Sequence, residues 1–215
     1  MKKIMFSDKY GLTKAVLEGR KTMTRRIIKC PRTFRGEWVA GFNIHRSPSD
    51  KKIVGFPCMY DADEREFDMG EILPKYKLGE VVAIAQSYRD SGYSPDSLDR
   101  HPKDLSVRGL MKDSAGWNNK MFVKSYACRH HIKIVNVKIE RLQDISDEDC
   151  LKEGVIHAYT DNNGIKIYHT PHTKRGYLST DVAQQAFSFL IDKVSGKGTW
   201  ESNPFVFAYE FVLVD

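Results

Sequence analysis

The chain has 215 residues, 41% of them hydrophobic and 29% charged, with a formal net charge of +6. That length supports one full hydrophobic core, and the composition is globular rather than disordered. No apolar run approaches the ~20 residues of a membrane span, and residues 1–8 hold too little apolar sequence for a signal peptide, so a cytoplasmic protein is expected.

Residues 3–6 read as a short first strand. Ser7 is a good cap for a helix in which Leu12, Ala15 and Val16 share one face and which Gly19 can end. The turn Gly19-Arg20-Lys21-Thr22-Met23-Thr24-Arg25-Arg26 follows at once, at a helix C-terminus that favours cations. From Gly19 to Gly36 there are seven basic side chains (Arg20, Lys21, Arg25, Arg26, Lys29, Arg32, Arg35) and no acidic one. So dense a block repels itself and persists where an anion offsets the cost, although a solvated basic loop has the same composition.

Residues 37–46 and 51–60 predict a hairpin around Arg46-Ser47-Pro48-Ser49-Asp50, and residues 81–88 a buried strand. Residues 89–120, rich in Ser, Asp, Pro and Gly, have the length and low periodicity of a lid or loop. Residues 121–142 read as two strands bent near Arg129-His130-His131, with Lys133, Lys138 and Arg141 keeping one side basic. Ser146 caps a short helix that carries Asp149 at its third position and ends at Gly154, just after Glu153. Residues 159–178 read as a second polar loop, and Thr180 as the cap of a helix built on Ala183, Ala186, Phe187, Leu190, Ile191 and Val194 and ended by Gly196. Residues 205–214 are apolar on both faces, as in a central strand. The expected fold is α+β: one domain over residues 1–215, a small barrel or curled sheet with helices outside and loop insertions around 89–120 and 157–179.

Cys30, Cys58, Cys128 and Cys150 are scattered without C-x-x-C pairing, and the H-x-x-H spacing of His169 and His172 lacks further ligands. No metal and no other cofactor is expected. The cationic turn lacks the glycines of a phosphate-cradling loop. It does gather two hydroxyls, a lysine and three arginines, and arginine forks bind phosphate while a lysine of lowered pKa can act as a base. In an extended stretch Thr22 and Thr24 point to one side and Lys21 to the other, so a turn is needed to bring Lys21 beside Thr24. Trp117 and Asn119, and the set around Trp200 and Asn203, have the chemistry to stack on and hydrogen-bond a base, or simply to pin loops.

The segment from Ile4 to Ser7, the run Val16-Leu17-Glu18-Gly19-Arg20-Lys21-Thr22-Met23-Thr24-Arg25-Arg26, Leu78-Gly79-Glu80-Val81, Asp149-Cys150-Leu151-Lys152-Glu153-Gly154 and the terminal Trp200, Asn203-Pro204-Phe205-Val206 resemble, in order, the ASCH family of PUA-like β-barrels. The greater length is similar to that of the phage and prophage members. The resemblance implies a small β-barrel, binding of RNA or of a modified nucleoside or nucleotide, and a cleft where the cationic turn meets Glu153. Some small family members act as amidohydrolases on N4-acylated cytidine, which implies Thr24 as nucleophile, Lys21 as its base and Glu153 as their partner. Arg20, Thr22, Arg25 and Arg26, with Trp117, Asn119, Lys124 and Arg129, would then contact the ligand. Binding of an RNA-type ligand is the first expectation, deacylation the second, and an accessory role contacting another protein the third, with no membrane partner.

Overall fold

The computed structural model describes residues 1–92, 115–170 and 178–214. Its largest sheet has five strands in the order β1, β8, β9, β13, β2. These are β1 (Lys3–Ile4), β2 (Met23–Ile27), β8 (Val81–Ile84), β9 (His131–Arg141) and β13 (Phe205–Leu213). Only β1 and β8 run parallel; the other pairs are antiparallel. The sheet is open among the described residues, with β1 and β2 as its edges, so the α+β class is seen without a closed barrel. As its double-sided apolar pattern implies, β13 lies between two neighbours, β9 and β2.

The helices follow their sequence signals closely. The first, α1 (Leu12–Leu17), buries Leu12, Ala15 and Val16. It is entered through Gly11 in the left-handed region, because Ser7 instead precedes a 3-10 turn over Asp8–Tyr10 and makes no side-chain cap. After a four-residue α2 (Tyr88–Ser91), the short α3 (Asp147–Lys152) is capped by Ser146, whose hydroxyl accepts the Asp149 amide at 3.2 Å. The long α4 (Ala183–Ser195) buries Ala183, Ala186, Phe187, Leu190 and Ile191, and a single-turn α5 (Thr199–Ser202) follows. One main core draws on residues from Ile4 to Phe211 and includes α1, α4 and the large sheet. No helix among the described residues is long and apolar enough to cross a membrane.

Three expectations change, and one hairpin is larger than expected. Residues 121–130 form no strand; they carry a 3-10 turn over Ser125–Ala127, and only β9 is extended. Residues 159–178 are not simply a loop, since β10 (Ile156–Thr160) and β11 (Lys166–His169) pair antiparallel and β12 (Ser179–Thr180) joins them. The hairpin over 37–60 is present as β5 (Gly41–Asn43) against β6 (Cys58–Tyr60) with a bridge from Arg46 to Ile53. It is extended by β7 (Glu66–Glu71) and preceded by the small pair β3 (Thr33–Phe34) and β4 (Glu37–Trp38). Thr180 takes the Val182 amide at 3.2 Å rather than capping α4 itself. Most of the 89–120 insertion, and His172 within 157–179, lie outside the described residues.

Gly154 closes α3 with φ +107°, and a Cβ there would stand 3.2 Å from Leu12 and 3.7 Å from the Lys21 side chain. Gly154→Ala is therefore expected to cost about 1–3 kcal/mol of stability, read as a lower midpoint in urea denaturation. An unchanged midpoint would show that this close approach is unimportant.

Candidate functional site

Two side chains from distant parts of the chain, Lys21 and Glu153, meet at the start of β2. The Lys21 amide still belongs to the end of α1, bonding to the Ala15 carbonyl at 2.9 Å, so the chain turns before it becomes a strand. This sends the Lys21 ammonium back over the turn. Its Nζ donates to the Met23 carbonyl, the Glu153 carbonyl and Glu153 Oε2, each at 2.7 Å. All three N–H directions of the ammonium are thus engaged. Burial pushes the Lys21 ammonium below its usual value; Glu153 opposes this, while Arg26 and Arg25 add to it.

Arg25 occupies the centre of a larger ion network. Its Nη2 lies 2.6 Å from Glu140 Oε1 and 2.8 Å from Asp149 Oδ2, and its Nη1 lies 3.3 Å from Glu153 Oε1. Lys138 completes the group, 2.8 Å from Asp149 and 3.0 Å from Glu140. Lys21, Arg25 and Lys138 thus face Glu140, Asp149 and Glu153, three cations against three carboxylates. Burial works against the Arg25 charge, but Glu153, Glu140 and Asp149 outweigh it and hold the guanidinium above its usual value. Burial would raise the Asp149 carboxyl, yet hydrogen bonds from Lys138 and Arg25 hold it below the usual carboxylate range.

The strand register explains the reach of Arg25. Arg25 on β2 and Lys138 on β9 both pair with Ala208 of β13, so the three side chains lie in one row on one face. Ala208 is too small to separate its neighbours, and the guanidinium passes over it toward β9. Asp149 and Glu153 stand four residues apart at α3, on one face of a helical turn directed at the same row.

A cavity of about 660 Å³ opens beside this network. Because β2 is an edge strand, residues of both its faces reach the cavity: Thr24 and Arg26 from one, Arg25 from the other, and Lys21 from the preceding turn. Phe6, Tyr76, Phe207 and Tyr209, with Leu190 and Ile191 of α4, give it apolar walls. The Lys21 Nζ lies 5.9 Å from the Phe6 ring centroid. Thr24 is buried and Arg26 half-buried; Arg26 Nη2 donates to the Met5 carbonyl at 2.7 Å, while its buried Nε has no hydrogen-bond partner.

Lys21, Thr24, Glu153, Arg25 and Arg26 therefore share one cavity. Arg20 is exposed and ion-paired with Glu18, and Thr22 bonds through its amide to the Lys152 carbonyl at 3.0 Å; neither lines the cavity. Trp117 packs on a separate small core of Ala83, Tyr88, Val123, Ala127 and Cys128. Asn119 accepts the Met121 amide at 3.0 Å, the Lys124 carbonyl accepts the Ala127 amide, and the Arg129 amide donates to Gln86 at 2.9 Å. None of these four lines the cavity. Two of the three basic strand residues are engaged: Lys138 belongs to the ion network, and the Arg141 guanidinium lies 3.8 Å over the Phe205 ring.

Glu140, Asp149 and Lys138 join the site without having been among its sequence candidates. The i, i+4 spacing of Asp149 and Glu153 was a usable signal: two acids on one face of a short helix need cationic partners. The contributions of Tyr76, Tyr209, Lys29 and Lys75 to the cavity had no local signal, because they depend on tertiary packing. No family model, no curated protein and no solved structure matches the chain.

Removing Arg25 leaves two buried carboxylates, Asp149 and Glu153, and the half-buried Glu140 short of a partner, so Arg25→Ala is expected to cost about 3–5 kcal/mol, measured by chemical denaturation. A loss below about 1 kcal/mol would show that the network carries little stability. The contribution of Asp149 is fully present above the unfolded carboxyl value of about 3.9 and is lost as pH falls through its lower folded value. Asp149→Asn should therefore have a shallower loss of stability below roughly pH 4 than the parent protein. Identical acid limbs would contradict that assignment.

Proposed function

We propose that the cavity beside β2 binds a nucleoside unit, with the apolar walls against the base and the end formed by Thr24, Lys21 and Arg26 against its polar edge. The observation that carries this reading is that Thr24, Lys21 and Arg26 line one cavity together with the rings of Phe6, Tyr76, Phe207 and Tyr209. The cavity volume falls within the range of small-ligand sites. The resemblance to the ASCH family points the same way, since the residues it singles out, Lys21, Thr24 and Glu153, line this one space. A long RNA track is less well supported, because Lys138 and Arg141 are already engaged within the protein.

Titration calorimetry with cytidine and uridine tests the reading. Binding is expected, and Arg26→Ala should weaken it by about tenfold or more. Absence of binding by either nucleoside at millimolar concentration would refute it. Arg25→Ala is the wrong probe here, since it removes a structural ion network.

A second reading, deacylation of an N4-acylated cytidine, is favoured by the lowered pKa of Lys21 in the same cavity as Thr24. Once Lys21 Nζ passes a proton to Glu153 Oε2, 2.7 Å away, the neutral amine must turn its freed lone pair from Glu153 toward Thr24 before it takes the Thr24 proton. The Thr24 oxygen then bonds to the acyl carbon, the C–N bond breaks, and the proton goes to the leaving amine. Water hydrolyses the resulting ester and restores Thr24. Incubation with N4-acetylcytidine should release cytidine, and Thr24→Val should reduce that rate roughly 100-fold or more. Equal rates for the parent protein and Thr24→Val would eliminate the mechanism while leaving binding intact.

A further inference from the structure

The charges that line the cavity are unevenly compensated. Five cations (Lys21, Arg25, Arg26, Lys29 and Lys75) line it, against one carboxylate, Glu153. Glu153 is shared by Lys21 and Arg25, and Arg25 is further neutralised by Glu140 and Asp149. The inner end is therefore electrically balanced. Arg26, Lys29 and Lys75 form no ion pair among the described residues; Arg26 donates only to a neutral carbonyl. Glu80 acts on the Tyr76 phenol from outside the lining but is itself bound, at 3.0 Å to Lys2 and at 2.8 Å to the Lys77 amide.

Two of these uncompensated cations also sit on the outer side. Lys29 and Lys75 are exposed, whereas Lys21 and Thr24 are buried, so cationic character rises toward the mouth. The Lys75 ammonium lies 5.4 Å over the Tyr76 ring, and the Arg26 charge acts on both the Tyr76 and Tyr209 phenols. Arg26 and Lys75 thus approach the same tyrosine wall. The one carboxylate that acts on this wall among the described residues, Glu80, is held by Lys2 and the Lys77 amide.

We infer that Lys29 and Lys75 form a phosphate subsite, and that the ligand is a nucleoside monophosphate rather than a neutral nucleoside. The inference rests on the reading of the cavity as a nucleoside site. Two uncompensated lysines match a phosphate monoester, which carries about −1.5 to −2 at pH 7, better than a singly charged internal diester. Lysines at an open rim suit a group that stays partly hydrated, since each acts as a point charge on a flexible stem.

The test compares cytidine, cytidine 5′-monophosphate and the diester cytidylyl-uridine by titration calorimetry, with the parent protein and with a Lys29→Ala/Lys75→Ala variant. Both lysines are exposed, so the variant should fold, which its unchanged melting temperature would verify. The parent protein should bind the monophosphate at least about tenfold more tightly than cytidine, with the diester between them. That ratio should shrink below about pH 6, where the monoester loses charge, and with added salt. In the double variant it should fall toward one. Equal affinities of cytidine and its monophosphate for the parent protein would overturn the subsite and leave the nucleoside reading standing. So would a monophosphate preference that survives in the double variant. Binding of neither ligand would overturn both.

Discussion

The buried Arg25 guanidinium is the interaction around which the rest of the site is arranged. A guanidinium taken out of water is tolerated only when its donors meet acceptors, and here three carboxylates from two separate elements surround it. Glu140 comes from β9, Asp149 from α3 and Glu153 from the end of α3, so one side chain on β2 joins an edge strand, an inner strand and a helix. Each partner is itself held: Asp149 by Lys138, Glu153 by Lys21. The network fixes where α3 sits against the sheet, and thereby where Glu153 and Lys21 face the cavity.

That arrangement resolves a geometric difficulty in the motif. Lys21 and Thr24 lie on opposite sides of an extended chain, yet both line one cavity. Two features make this possible. Lys21 is still tied by its amide to the Ala15 carbonyl and so precedes the strand, and β2 has no neighbour on its outer side among the described residues. An edge strand exposes both faces and its rim to the same space. The lysines of the Lys3 and Lys120 side chains add a second tie: Lys3 donates to the carbonyls of Lys120, Met121 and Val123, and Lys120 to the Phe6 carbonyl. The segment before α1, which contributes Phe6 to the cavity, is thereby fastened to residues 120–123.

Much of this was legible from local pattern. The helix over Leu12–Leu17, the capped α3 and the apolar central strand β13 follow from spacing, capping residues and double-sided hydrophobicity. The meeting of Lys21 with Glu153 was expected only through family resemblance, since nothing local links residues 132 positions apart. Three readings departed for physical reasons. Residues 121–130 carry apolar side chains, but Val123, Ala127 and Cys128 bury them in a small separate core without strand pairing. Residues 156–169 are polar, yet they pair as a two-sided hairpin whose outer face is solvated. Trp117, a base-stacking candidate, instead packs beside Tyr88 and Val123.

The cationic block is best understood through strand parity. Consecutive residues of β2 face opposite sides of the sheet. On one side, Arg25 shares its row with Ala208 and Lys138 and meets the acids of β9 and α3. On the other, Arg26 is paired with Phe207 and lies beside Tyr209, where no carboxylate is within ion-pair distance among the described residues. Two adjacent arginines of identical chemistry are thus divided by one step of the pleat: the first is consumed in holding the fold together, and the second keeps an unused donor beside a cavity. Composition counts both as positive charge. Register decides which of them remains free to meet an anion, and a one-residue shift in the pairing of β2 would exchange the two roles.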